Sequence, residues 1–314
     1  MLLKPIFNIV LWMTLASNLM AQETYEISPS VKKILFLGNS ITYSGQYVDY
    51  VETYLRLSYP ERDWEIINLG LPSETVSGLS EEGHAGGEFP RPDLHERLDR
   101  TLEEIKPDLI FSNYGMNDGI YLPFDDARFE AYKQGQIKLH QKALAIGADI
   151  IHSTPPVYDE KKGAAYANVL DIYSSWLLSQ RYTNDWKVID LHWPMRKFQE
   201  DRRYNNPSFE LSKDGVHPRD QGHWIMARSL LKGLNEEKYL WEEEPNVVFG
   251  KMNQGIEVLS LVSEKNSISK DAWLSYIGHK RPGMKKGLPL NDALSSVVLL
   301  IEEIKNLTEN KARK

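Results

Sequence analysis

The sequence predicts an α/β protein built on a mostly parallel sheet, and three observations carry that expectation. Five short apolar runs punctuate residues 31–191. The stretches between them carry helical periodicity. The central runs are apolar throughout instead of alternating. Strands that alternate with helices imply crossover connections and therefore parallel pairing. A strand without alternation is one covered on both faces.

The first run, Val31 to Gly38, reads as a buried strand, and Val48, Val51 and Leu55 then share one face of a helix. Glu65 to Gly70 is the second strand. Leu94, Leu98, Leu102 and Ile105 recur at helical spacing and stop before Pro107, which cannot continue a helix. Asp108 to Tyr114, Asp149 to Thr154 and Lys187 to Leu191 are the third, fourth and fifth strands. A closing helix is expected over His223 to Leu234. The acidic run Glu242 to Pro245 reads as a hinge, and residues 246–314 read as mostly helical, with helices over 271–277 and 291–304. The organisation expected is a main domain over 22–240 and a helical extension over 241–314 packed on it, with no internal repeat and no low-complexity tract.

At 314 residues and 41% apolar, the chain can bury a real core. Its formal charge of −7 repels phosphate backbones, so no nucleic-acid partner is expected. The absence of cysteine excludes disulfides, thiolate metal sites, a cysteine nucleophile and a lipid-modified N-terminal cysteine. Lys4, the apolar run Ile6 to Ala16 and the small residue Ala21 read as a secretory signal over 1–21, cut before Gln22. That run is too short to span a bilayer comfortably, and an uncleaved N-terminal anchor is the alternative to cleavage. An exported protein, periplasmic or secreted, is expected, with no stable membrane insertion after cleavage.

Ser40 directly follows the first strand, at the carboxyl edge where α/β sheets bind ligands. A serine there is either a helix N-cap or a nucleophile. Lys213-Asp214-Gly215-Val216-His217-Pro218 puts a carboxylate three residues before an imidazole in one turn. That pair is either a capping Asp beside a surface His, or the base and orienting acid that a serine nucleophile needs. Gly70 ends the second strand and would let a backbone N–H approach a substrate oxygen. Asn117, after the third strand, could offer a neutral donor to a developing oxyanion. Read singly, each of these is also a plain turn residue.

Taken together, Gly38-Asn39-Ser40, Asn68-x-Gly70, Gly115-x-Asn117-Asp118 and Asp214-x-x-His217-Pro218 stand in the order of the four sequence blocks of the SGNH hydrolase superfamily, also called GDSL esterases. The chain resembles that family across residues 31–234. It departs at Asn39, where the best-known motif has Asp, a residue that shapes the turn. The resemblance implies a three-layer α/β/α flavodoxin-like fold with a five-stranded parallel sheet in the order 2-1-3-4-5. It implies Ser40 as nucleophile, His217 as base then acid, and Asp214 as its orienter. It implies an oxyanion hole from the N–H groups of Ser40 and Gly70 and the side chain of Asn117. It implies no metal and no organic cofactor.

The fold does not fix the ester. Export, the polar and aromatic loop residues Tyr43, Tyr47, His84, Arg91, Tyr121, Tyr158, Trp193 and Arg196, and the lack of a long apolar loop favour acetyl esters of a polysaccharide or oligosaccharide. The substrate-binding set expected is His84, Arg91, Trp193 and Arg196, with Lys280 and Arg281 from a basic loop over 278–287. A lysophospholipase or thioesterase acting on lipid acyl esters is the alternative enzyme, and an inactive carbohydrate-binding relative is the alternative of another class. His223, His152, His95 and His140 read as packing or capping residues, and Asp118 as a turn residue.

Overall fold

The computed structural model describes residues 23–309, so the expected signal segment lies outside the described residues. Five parallel strands form one sheet: β1 (Lys33–Gly38), β2 (Glu65–Asn68), β3 (Leu109–Asn113), β4 (Asp149–Ser153) and β5 (Lys187–Ile189), in the order β2-β1-β3-β4-β5. Ile34 pairs with Ile66 on one side and with Leu109 on the other. Most strands end a residue or two before the apolar runs do. Leu69, Tyr114 and Leu191 remain buried but have left the sheet to enter the loops at its carboxyl edge.

The helices are α1 (Ser40–Ser44), α2 (Gln46–Ser58), α3 (Leu94–Ile105), α4 (Asp126–Ala145), α5 (Glu160–Thr183), α6 (His192–Asn205) and α7 (Asp220–Gly233), followed by α8 (Pro245–Lys251), α9 (Gly255–Ile277) and α10 (Leu290–Glu309). Right-handed crossovers put α2 on one face of the sheet, because β2 lies to one side of β1, and α3 to α5 on the other, because β3, β4 and β5 step the opposite way. Contacts of α2 with α7, and of α3 with α4, follow from this. The core is filled from both faces. Val48, Val51 and Leu55 of α2, Leu94, Leu98 and Ile105 of α3, and Trp224 and Leu230 of α7 are all buried, while Phe36 stacks on Phe111 across β1 and β3 at 4.8 Å.

The direction of progression reverses between β1 and β3, which opens a crevice at their carboxyl ends. The extension wraps the free edge of β2, where α9 packs on α2, β2 and α3, and α10 packs on α9. Lys265 of α9 is buried and donates to both carboxylate oxygens of Glu52 at 2.9 Å and to the carbonyl of Ile66 in β2 at 2.6 Å. An edge-strand carbonyl that would otherwise face outward is thereby satisfied. The helix runs much farther toward its N-terminus than the 271–277 expected. Its inward face carries the polar Lys265, Asn266 and Ser269, so apolar periodicity fades where packing continues. Likewise α7 starts at Asp220 and α10 at Leu290. No helix among the described residues is long and apolar enough to cross a membrane.

Candidate active site

Ser40 is the first residue of α1, immediately beyond β1. The turn is tight. A Cβ on Gly38 would lie 2.1 Å from Thr42 Oγ1 and 2.9 Å from the carbonyl of Asn113. The departing Asn39 is buried and caps the helix, its Oδ1 accepting from the Ile41 N–H at 3.1 Å. The cap that frees Ser40 from capping duty is thus its neighbour. From the other end of the main domain, the turn between α6 and α7 brings His217 across, and Ser40 Oγ lies 2.8 Å from His217 Nε2.

The same turn supplies the third group. Asp214 Oδ2 lies 2.6 Å from His217 Nδ1, and Asp214 Oδ1 accepts from the N–H groups of Val216 and His217 at 2.9 and 2.8 Å. Gly215 between them has φ +86°, and a Cβ there would also strike Lys162 at 2.9 Å, so this turn requires glycine. Burial pushes the Asp214 carboxyl up, but the His217 ring and the two backbone N–H groups outweigh it and hold the group below its usual range. A carboxylate on Nδ1 fixes the tautomer that carries a proton there, leaving Nε2 to accept from the Ser40 hydroxyl. Both His217 and Asp214 side chains are about half exposed, so the series opens to solvent.

Asn117 lies across the crevice after β3. Its Oδ1 accepts from Tyr121 at 3.0 Å and its Nδ2 donates to the carbonyl of Glu74 at 3.1 Å. Those two bonds fix the amide and leave its second N–H free. The Ser40 N–H has no partner among the described residues. Gly70 departs from expectation. Its N–H already donates to Asn68 Oδ1 at 2.9 Å, and a Cβ would lie 2.2 Å from the Tyr43 nitrogen. The glycine is needed because backbone packs on backbone behind α1, and its N–H is not available to a substrate.

A residue that the sequence reading missed stands in its place. Leu71 to Glu74 form a turn closed by Glu74 N–H to Leu71 C=O at 3.2 Å, with Pro72 second and Ser73 third at φ +68°. The Pro72 position was the available signal, since proline there favours a turn whose third residue is left-handed. Serine in that conformation is strained, and such strain concentrates at functional sites. The Ser73 N–H has no partner among the described residues, and the adjoining Glu74 carbonyl is the one Asn117 touches. The fully buried Glu74 carboxylate anchors this loop: Arg97 donates to it twice at 2.7 Å and the Tyr114 hydroxyl once at 2.7 Å. Asp118 holds the loop from beneath, accepting from the N–H groups of Val76, Ser77 and Gly115 at 2.8 Å each, as a turn residue does.

The expected substrate-binding residues divide. Arg91 is buried in a two-point pair with Glu81 at 2.5 and 2.6 Å, its guanidinium 5.2 Å from the ring of Tyr121, the residue bonded to Asn117. His84 bonds Glu81 at 3.0 Å and meets Phe89 edge-on, and Arg281 of the basic loop lies 5.4 Å over that same Phe89 ring. These residues form one wall, continuous from Asn117 to the extension. Lys280 is exposed beside it. Trp193 and Arg196 follow β5, in the first two turns of α6. Arg196 pairs with Asp171 and covers Trp193, and no contact among the described residues joins either to Ser40, Asn117 or His217.

At the switch point of a doubly wound parallel sheet, the structure sets a serine, a histidine and an aspartate hydrogen-bonded in series. The model of the GDSL-like lipase/acylhydrolase family matches residues 36–225, and the chain belongs to that family. It is an ester hydrolase. An acetylxylan esterase of Geobacillus stearothermophilus is 26% identical over 232 residues, covering 66% of this chain and 96% of that protein. A crystal structure of that esterase superposes with a TM-score of 0.52 at 22% identity, covering 69% of this chain and 98% of the other. Solved forms of it include catalytic mutants at a serine, an aspartate and a histidine, the last two separated by three positions. A gut microbial diltiazem-metabolizing enzyme superposes with a TM-score of 0.54 at 23% identity over 68% of this chain, which spans about half of that protein's length (49%).

Proposed function

We propose that the chain is an exported O-acetyl esterase that removes acetyl groups from a polysaccharide or oligosaccharide. The observation that carries this reading is the Ser40–His217–Asp214 series, with bonds of 2.8 and 2.6 Å. Asp214 and His217 repeat the spacing at which the Geobacillus esterase carries its catalytic aspartate and histidine. In this reading His217 Nε2 takes the hydroxyl proton as Ser40 Oγ attacks the acetyl carbonyl, and Asp214 steadies the imidazolium that forms. The oxyanion meets the N–H of Ser40, the free N–H of Asn117 Nδ2 and the N–H of Ser73, which replaces Gly70 in that role. His217 then returns the proton to the sugar oxygen as it leaves. Water, activated by the same imidazole, releases acetate from Ser40.

The acetyl preference rests on the wall described above. Arg91, Tyr121, His84 and Phe89 mix rings with charged groups, which suits a sugar face better than an alkyl chain. Nitrophenyl acetate should be turned over well and nitrophenyl octanoate poorly. Acetate release from a panel of acetylated polysaccharides should then identify the polymer. A preference for octanoate would replace this reading with a lipid acyl hydrolase, and no turnover of either ester would replace it with a binding protein.

A further inference from the structure

The extension lies beyond the span that the family model matches, yet two of its residues reach the helix that begins with Ser40. Lys270 Nζ donates to the carbonyl of Tyr43 at 2.5 Å and lies 4.1 Å from the centroid of the Tyr43 ring. The Tyr43 hydroxyl donates to Asp271 Oδ1 at 2.9 Å, and Lys285 of the basic loop holds Asp271 Oδ2 at 3.0 Å. Asp271 is buried. Burial first, and then Asp271, push the Tyr43 hydroxyl up to about 12, so it stays a donor.

A helix of five residues has almost no hydrogen bonding of its own to hold its shape. Its final carbonyls need outside partners, and two of them have one: Asn68 Nδ2 donates to Thr42 O at 2.7 Å, and Lys270 to Tyr43 O. The end of β2 grips the helix from one side through Asn68 and the close approach of Gly70. α9 grips it from another. α9 is itself fixed to the main domain by the buried Lys265 on Glu52 and by Asn266 on Asp49 at 2.8 Å.

We propose that α9 is a positioning element for the nucleophile: Lys270 and Asp271 hold Tyr43, and through it keep Ser40 aligned with His217. The inference rests on the reading of Ser40 as nucleophile. Neither residue touches the reacting atoms. Each acts by limiting how far α1 can shift, and a misplacement near 1 Å costs on the order of 10²-fold in rate. A bond that merely fastens the extension would affect stability and leave the chemistry of Ser40 alone.

The test uses the full chain with nitrophenyl acetate and a small fluorophosphonate. Tyr43→Phe, which removes one oxygen, Asp271→Ala and Lys270→Met should each lower kcat by about 5–20-fold with KM changed by less than about 2-fold. The phosphonylation rate should fall by the same factor. Tyr43→Phe combined with Asp271→Ala should cost no more than the worse single change, because both remove one bond. Lys270→Arg, which keeps a donor, should recover most of what Lys270→Met loses. Wild-type kcat and phosphonylation rates in a folded Tyr43→Phe protein would overturn the proposal, even if Asp271→Ala fails to fold. So would losses that vanish once rates are corrected for the unfolded fraction. Ser40→Ala tests the underlying reading separately: persistent labelling there would remove the nucleophile, whatever the Tyr43 variants do.

Discussion

The α1 turn and the start of α7 make two serine–histidine contacts, and they could hardly be more different. Ser40 faces His217 at 2.8 Å, and four residues later Ser44 faces His223 at 3.3 Å. His217 has Asp214 on its other nitrogen and is half exposed. His223 is buried, stacks on Tyr47, and leaves Nδ1 with no partner. Ser44 has already given its proton to the Ile41 carbonyl at 2.7 Å. Burial pushes the His223 imidazole down to about 4, so it stays neutral through the working range and gains nothing from accepting a proton. A serine beside a histidine is therefore not a catalytic unit. The orienting carboxylate, an uncommitted hydroxyl and access to substrate make the difference.

The largest expected effect breaks the first pair. Ser40→Ala should lower kcat by about 10⁴-fold or more and abolish fluorophosphonate labelling, while circular dichroism and the thermal midpoint stay near wild type. Full activity in that folded variant would end the assignment of Ser40. Removing only the third group sharpens the comparison: Asp214→Asn should cost about 10³–10⁴-fold in kcat, because the tautomer is no longer fixed. Asn117→Ala should follow with about 10²–10³-fold in kcat and a smaller change in KM, since its donor matters most once the oxygen is charged. A pure KM effect in steady-state kinetics would make Asn117 a substrate-binding residue instead.

The second pair should give the smallest effects on activity. Ser44→Ala and His223→Phe should leave kcat near wild type, and a large loss in either would show that the two pairs work together. His223 should instead be visible in acid stability. Its folded value, about 4, lies below the ordinary 6.5, so the unfolded chain binds the proton first as pH falls. Folded stability is then lost progressively between about 6.5 and about 4, and that loss stops below the lower value. Asp214 adds a separate loss further into acid, as pH falls through its lowered folded value. Urea midpoints at pH 7 and pH 4.5 should therefore differ less in His223→Phe than in wild type. Equal differences in both proteins would remove the neutral, buried His223 from the account.

Much of the fold was legible because its signals are local. Non-alternating apolar runs such as Ile34 to Leu37 mark strands covered on both faces, and Leu94, Leu98, Leu102 and Ile105 mark a helix face. The Asp214–His217 pair was legible because both groups sit in one turn, where three positions of spacing are enough to make the contact. Long-range polar packing left no such trace. Residues 246–314 were read as mostly helical, but that 271–277 is only the end of one continuous helix of twenty-three residues was not, because Lys265 and Asn266 face inward. Trp193 and Arg196 were read as cleft residues on their chemistry alone; Arg196 pairs with Asp171 and lies over the Trp193 ring.

By itself, then, the sequence determined the parallel sheet, the serine at the end of its first strand and the acid–base turn that must meet it. These depend on periodicity and on short spacings. Only the tertiary structure decided which backbone N–H groups are free. Gly70 and Ser73 lie three residues apart in one loop, and nothing local says that Asn68 occupies the first while a left-handed turn leaves the second open. It alone also decided that Lys270, 227 positions from Tyr43 in sequence, ends on its carbonyl. The physical reason is the same in both cases: a hydrogen bond is settled by which groups packing brings within about 3 Å, and packing between distant segments imposes no period on the residues that make it.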